Sequence, residues 1–296
     1  MRDIMNRNLD YDRPIRLAEG VFWIGVYDPA SSWMSSPYLI VDGDEAVLID
    51  AGSRSDFAAI VMKLMQAGIV PSAITTLVYQ NYYPRLWGSL QHFQAIIGRE
   101  DLRIVSDRAN LMFTQSSSNS VRMVSLDETG FSLRLSSGRC LDFIKTPFAH
   151  SAGSFVTFDR TTGILFTGDL FSSYSQEWSL LLKLKAGCRT CQDYATCLGR
   201  GEYCPIHDIL DFHRKMMSSE RALGFAMKRI GALPFSVVAP QRGSIIHDAG
   251  DIAHISGLLS GLKGVGIDGI IGESSLVKPG DAGPEWDPVL RCGNSS

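Results

Sequence analysis

Apolar positions in this chain follow two spacings, and the spacings alternate along its length. Val21–Tyr27 is a run of aromatic and β-branched residues. Ser36–Val41 leads into the turn Asp42-Gly43-Asp44, and Ala46–Asp50 is a continuous apolar run that stops at Ala51-Gly52. Runs of this length bounded by Gly and Asp predict short strands joined as an antiparallel meander. Phe57, Ile60, Val61, Leu64 and Met65 then recur at helical spacing and predict a helix over Phe57–Gly68. A strand at Ile74–Tyr79, a helix at Leu86–Gly98 and a strand at Leu102–Val105 complete the first half.

The second half repeats the alternation. Met123–Leu126, Phe131–Leu135 and Cys140–Lys145 predict strands, and Ser154–Asp159 with Gly163–Thr167 predict a hairpin around Arg160-Thr161-Thr162. Ile209–Ile230 predicts one long helix, Ser236–Ala239 a last strand and Asp251–Leu262 a last helix. Two halves that each open with strands and continue into helices imply an α/β fold with sheets packed inside helices. No short repeat and no linker interrupts residues 1–263, so one domain is expected there, with 264–296 as a Gly/Pro-rich, loosely held extension.

Charge excludes some functions. The 28 basic residues face 31 acidic ones, and no Lys/Arg-dense stretch occurs, so a nucleic-acid surface is not expected. Met1–Arg16 is polar, without the apolar core of a secretory signal, and no apolar run approaches the roughly 18 residues of a membrane span. The expectation is a cytoplasmic protein with no membrane contact.

Cysteine placement changes the picture more. Cys140 and Cys292 stand alone, whereas Cys188, Cys191, Cys197 and Cys204 share one polar segment, GCRTCQDYATCLGRGEYCP. Clustered thiols in a reducing compartment point to metal or redox chemistry rather than to disulfides. Four thiolates select zinc or an iron–sulfur cluster over hard cations. A structural zinc knuckle is often built from two Cys-x2-Cys pairs, and only one is present. The irregular spacing and the Pro after Cys204 therefore favour a 4Fe–4S cluster, with zinc as the alternative. His207, three residues beyond Cys204, could replace one thiolate.

Five strings occur in a telling order: AVLIDAG (46–52), FAHSAGSFVTFD (148–159), ILFTGDLF (164–171), FHRKMMSSERALGFAMKRIGAL, and VVAPQRGSII. Together they resemble the metallo-β-lactamase superfamily, and within it the oxygen-binding di-iron proteins related to flavodiiron proteins, from about Val21 to Ile246. The resemblance implies a four-layer αββα sandwich with an insertion at 186–208. It also implies a metal-ligand cluster just after the strand ITTLVY. Residues 79–87 of this chain contain no His, Asp, Glu or Cys. With Gly88 as anchor, Asn81, Tyr83, Arg85 and Leu86 occupy the ligand positions. Arg242 stands where the resemblance implies the last ligand His, which leaves His150 and Asp169 of the set.

A hydrolytic metal site needs about three protein ligands and an open position for water. The degenerate di-metal site of Asn81, Tyr83, Arg85, His150, Asp169 and Arg242 is therefore expected to hold no di-iron centre. Asp169 is expected to pair instead with an arginine, Arg242 before Arg85. The function expected is non-hydrolytic: an iron–sulfur redox or gas (O2/NO) sensor, or an electron-transfer protein. A zinc-stapled regulatory or binding protein and a residual metal-dependent enzyme are the alternatives. The expected partner is a protein, in signalling or electron transfer, and homodimer formation is left open.

Overall fold

The structure, a computed structural model, describes residues 9–28, 30, 33–113, 121–174, 177–191 and 203–271. Two sheets meet face to face, each covered on its outer side by helices, as the strand and helix pattern implies.

The first sheet begins with β1 (Ile15–Ala18) and β2 (Val21–Trp23), and a two-stranded ribbon, β3 (Val26–Asp28) with β4 (Trp33–Ser35), precedes β5 (Tyr38–Asp42) and β6 (Glu45–Ile49). It continues through β7 (Ile74–Val78), β8 (Arg103–Ser106) and β9 (Arg122–Ser125), in the order β1-β2-β5-β6-β7-β8-β9. Its first members are antiparallel, and from β6 onward the pairing is parallel. The second sheet runs β10 (Ser132–Arg134), β11 (Cys140–Lys145), β12 (Phe155–Asp159), β13 (Ile164–Phe166), β14 (Val237–Ala239), with only β13 and β14 parallel.

The helices sort by half. α1 (Phe57–Gln66), α2 (Pro84–Trp87), α3 (Leu90–Ile97) and α4 (Arg108–Leu111) follow strands of the first sheet. α5 (Pro205–Met216), α6 (Glu220–Ile230), α7 (Ala249–Ser260) and α8 (Ile267–Ile271) belong to the second half. Three buried cores result. The central one joins Trp23, Tyr38, Val47 and Ile49 of the first sheet to Phe143, Phe155 and Phe166 of the second. One outer core packs Ile60, Leu64 and Phe93 against Leu39, Leu48 and Ile104, and the other packs Phe212, Leu223, Met227 and Ile255 against Val156 and Leu165. Strands buried on both faces read as unbroken apolar runs, which is why AVLI and ILF lack alternation.

Some elements differ from their sequence expectation. The run Val21–Tyr27 is two strands, because Ile24 turns inward and Gly25 sits where a Cβ would strike the Ser35 carbonyl at 2.3 Å. The helix expected over Ile209–Ile230 is two, α5 and α6. Its apolar period continues, but Met217-Ser218-Ser219 leaves the helix, and the Ser219 hydroxyl accepts the Ala222 N–H as an N-cap. Leu86–Gly98 likewise divides into α2 and α3. In the expected extension, Val265 is fully buried in the second outer core and α8 follows it; residues 272–296 lie outside those described.

Candidate functional site

Parallel strands stack their C-terminal ends on one edge, and here both sheets do so at the same place. Asp50 follows β6, Gln80 and Asn81 follow β7, Asp169 follows β13, and Gln241 with Arg242 follow β14. The loop from β11 to β12 adds His150 and Ser151. Backbone bonds fasten these ends together: Phe155 N–H to Gln80 O (3.0 Å), Gln241 N–H to Gly168 O (2.8 Å) and Ser36 N–H to Gln241 O (3.0 Å).

At the centre is the Asp169 carboxylate. Its Oδ2 accepts a hydrogen bond from the Asn81 side-chain amide and lies 2.8 Å from His150 Nδ1. The histidine contact is close but out of line for a straight hydrogen bond, so it is foremost an ion pair. Burial pushes the His150 imidazole down, but the bonding and charge of Asp169 outweigh it and hold the ring above the ordinary histidine value. For Asp169, burial pushes the pKa up, and His150 followed by Arg242 more than reverses it, so the carboxylate is ionised.

Arg242 is buried above this pair. Its guanidinium carbon lies 4.6 Å from the Tyr83 ring centroid and 5.5 Å from that of Tyr174, and its Nη1 donates to the Tyr174 hydroxyl (3.0 Å). Planar guanidinium groups stack well on aromatic faces. Behind the pocket His213 is fully buried, with Nδ1–H directed to Ile209 O (2.6 Å) and Nε2 accepting the Phe171 N–H (2.9 Å). That arrangement fixes one neutral tautomer, and burial lowers its pKa to about 4. Asp50, also buried, accepts the Gln80 N–H (3.0 Å) and is pushed up to about 7, by burial first and by the Asp169 charge as well.

The backbone is unusual at this edge. Asp50, Phe148, His150 and Phe171 all have φ in the left-handed region, between 52° and 88°, which non-glycine residues seldom adopt. Gly243 is required at +86°, because a Cβ there would meet the Ser173 hydroxyl at 2.6 Å.

The structure thus brings together Asn81, Tyr83, His150, Asp169 and Arg242. Arg85 is exposed on α2, and none of the contacts above runs through it. The expected Asp169–Arg242 pairing also needs correcting. The close cation is His150, and Arg242 acts on the carboxylate from farther away while it stacks on Tyr83. Asp50, Gln80, Gln241 and Tyr174 were not anticipated as pocket residues. Asp50 and Gln241 lie inside the matched strings AVLIDAG and VVAPQRGSII, which is the signal that could have found them; Tyr174 carries none.

Of the four cysteines, Cys197 lies outside the described residues. Cys188 lies in the middle of a turn of 3-10 helix (Ala186–Thr190), Cys191 follows it, and Cys204 caps α5, its sulfur accepting from the His207 N–H (3.5 Å). Arg189 ties the segment to α7 through Asp248 and Asp251.

A four-layer sandwich with its pocket at the common edge of two sheets is the arrangement of metallo-β-lactamase-fold proteins. A family model described as "ODP family beta lactamase" matches residues 34–243, and the chain belongs to that family. Solved structures with the same fold include the peroxy diiron species of the chemotaxis sensor ODP (TM-score 0.67, 22% identity, 87% of this chain and 97% of that one). Rubredoxin oxygen:oxidoreductase of Desulfovibrio gigas is another (TM-score 0.68, 15% identity, 84% of this chain and 61% of that one). Among curated proteins, diflavin flavoprotein A 1 of Synechocystis is 24% identical over 217 residues, which is 73% of this chain and 35% of the relative. The chain therefore spans about a third of that protein's length.

These comparisons correct the cofactor expectation. The relatives are described as di-iron proteins and flavoproteins, so neither the 4Fe–4S cluster, nor zinc, nor the dismissal of di-iron chemistry is supported. The cysteine spacing misled because thiolate clustering narrows the choice of metal without showing that the thiols converge on one. Among the described residues, no group of three or more His, Cys, Asp or Glu side chains is placed to hold a metal ion. In place of the relatives' di-iron ligands this chain offers one imidazole, His150, and two carboxylates, Asp169 already engaged with Asn81 and Asp50 deeper in the pocket, fewer donors than two metal ions ordinarily take. Among the described residues no helix is long and apolar enough to cross a membrane.

Proposed function

We propose that this chain is a non-hydrolytic redox or gas (O2 or NO) sensor that passes its signal to a protein partner. The carrying observation is the state of Asp169. Its carboxylate is taken up by Asn81 and His150 beneath a stacked guanidinium, so the pocket's anionic oxygen is spent on the chain's own groups. Membership of the ODP family, and likeness to a protein described as a chemotaxis sensor, support sensing over turnover.

The left-handed residues around the pocket support the same reading, since strained backbone clusters at switch regions as well as at active sites. The fold also supplies an optical reporter. Trp87 donates its indole N–H to Asn81 O (3.0 Å) and stacks on Tyr79 at 4.2 Å, so a shift of Asn81 reaches an indole directly.

Two assays test the reading. β-Lactam, thioester and phosphodiester hydrolysis, with and without added Fe2+ or Zn2+, should not exceed buffer; turnover abolished by Asp169→Ala would contradict the non-hydrolytic part. Anaerobic protein exposed to O2 or NO should change its tryptophan emission, and the change should vanish in Trp87→Phe. Identical spectra before and after exposure to both gases would contradict the sensing part.

A further inference from the structure

Beneath the Asp169–His150 pair lies a second group of polar side chains that the sensing reading does not use. Asp50 is at its centre, 3% exposed. The side-chain amides of Gln80 and Gln241, 1% and 2% exposed, stand beside its carboxyl and favour the charged form. Gln80 Oε1 and both polar atoms of the Gln241 amide nevertheless complete no hydrogen bond within the protein. Nearby Asn81, with its amide nitrogen turned to Asp169, leaves Oδ1 without a partner as well. Buried polar atoms are almost always satisfied, and each left unmade costs about 1–3 kcal/mol. Several orphaned amide oxygens around one carboxylate imply that something is held between them.

We propose that Asp50, Gln80 and Gln241 form a binding site for a monovalent metal cation, Na+ or K+, under the pocket floor. The donor set is all oxygen once each glutamine amide presents its carbonyl, which a half-turn of the amide achieves without moving the chain. Hard cations take carboxylate and amide oxygens, whereas borderline metals such as zinc prefer imidazole and thiolate. Charge selects a single positive unit: one carboxylate and neutral amides carry −1. Asp169 and Arg242 in the same pocket offset one another, so no further negative charge is left for a divalent ion. The site is distinct from the Asp169 position and independent of whether the protein senses gases.

The test uses purified chain in choline chloride, titrated with NaCl or KCl at constant ionic strength. A ligand that binds only the folded state raises its melting temperature in a saturable way. A rise of several degrees is expected with Na+ or K+, and none with choline. Asp50→Asn should abolish the response. Should that variant fail to fold, Gln241→Leu should weaken the apparent affinity at least about tenfold, a loss of about 1.4 kcal/mol. Crystals soaked in Tl+ should show an anomalous peak beside the Asp50 carboxylate. Identical melting in all three salts, a wild-type response in Gln241→Leu, or only water-like density among the three side chains would each overturn the proposal.

Discussion

Among the buried carboxylates that lie beside a cation, Asp159 and Asp169 serve opposite ends of the sandwich. Asp159, at the end of β12, receives Arg139 in two-pronged fashion: Nε lies 3.2 Å from Oδ1, and Nη2 bonds Oδ2. The Thr161 N–H (3.1 Å) and the Thr162 hydroxyl complete its shell. Asp169, at the end of β13, receives a histidine out of line and an asparagine, with an arginine stacked at a distance. Around Asp159 every acceptor position is used by rigid donors. Around Asp169 the neighbouring amides are left unpaired and the backbone turns left-handed at four residues. A satisfied pair pins the architecture, whereas incompletely satisfied polar groups mark a place where the fold accepts strain for another purpose.

The contrast can be broken at its strong end first. Asp159→Ala would strand the Arg139 guanidinium, whose side chain is 5% exposed, without its acid. Removing one partner of such a pair costs about 3–5 kcal/mol. Urea unfolding should show that loss, and a midpoint near wild type would mean that water reaches Arg139. An effect on the order of 3 kcal/mol is expected of His213, this time through pH. Its folded pKa, about 4, lies below the unfolded value near 6.5, so the unfolded chain takes up the proton first. The stability it supports is complete above about pH 6.5 and is lost as pH falls toward 4. His213→Gln should flatten that acid limb in a series of melts; a slope unchanged from wild type would assign it to other groups. The smallest effect belongs to the pocket itself. His150→Ala should cost about 1–3 kcal/mol, because Asp169 keeps Asn81 and the field of Arg242. A loss as large as that of Asp159→Ala would erase the distinction between the two ends.

Much of this was legible in the chain. The runs AVLI and ILF marked doubly buried strands, and the ordered strings placed Asn81, Tyr83, His150, Asp169 and Arg242 in one neighbourhood. What the pattern could not show was which groups touch. Arg85 and Arg242 look equivalent as charges, but Arg85 lies on the outer side of a one-turn helix, and Arg242 is held inward by Tyr83 and Tyr174. His150 reaches Asp169 from a residue at φ 88°, a conformation that residue type does not foretell. The break between α5 and α6 was hidden for a different reason. Apolar spacing continues across it, and only the Ser219 cap signals the new start. The cysteine segment shows the limit from the other side: a suggestive spacing gave a cofactor that neither the relatives nor the described residues support.

His150 holds Asp169, and its imidazole can be followed directly. A 15N-edited NMR titration of His150, assigned by His150→Gln, should place its pKa above the ordinary histidine value, and Asp169→Asn should bring it down. A His150 that titrates at or below the ordinary value, and does not move when Asp169 is neutralised, would contradict the pairing.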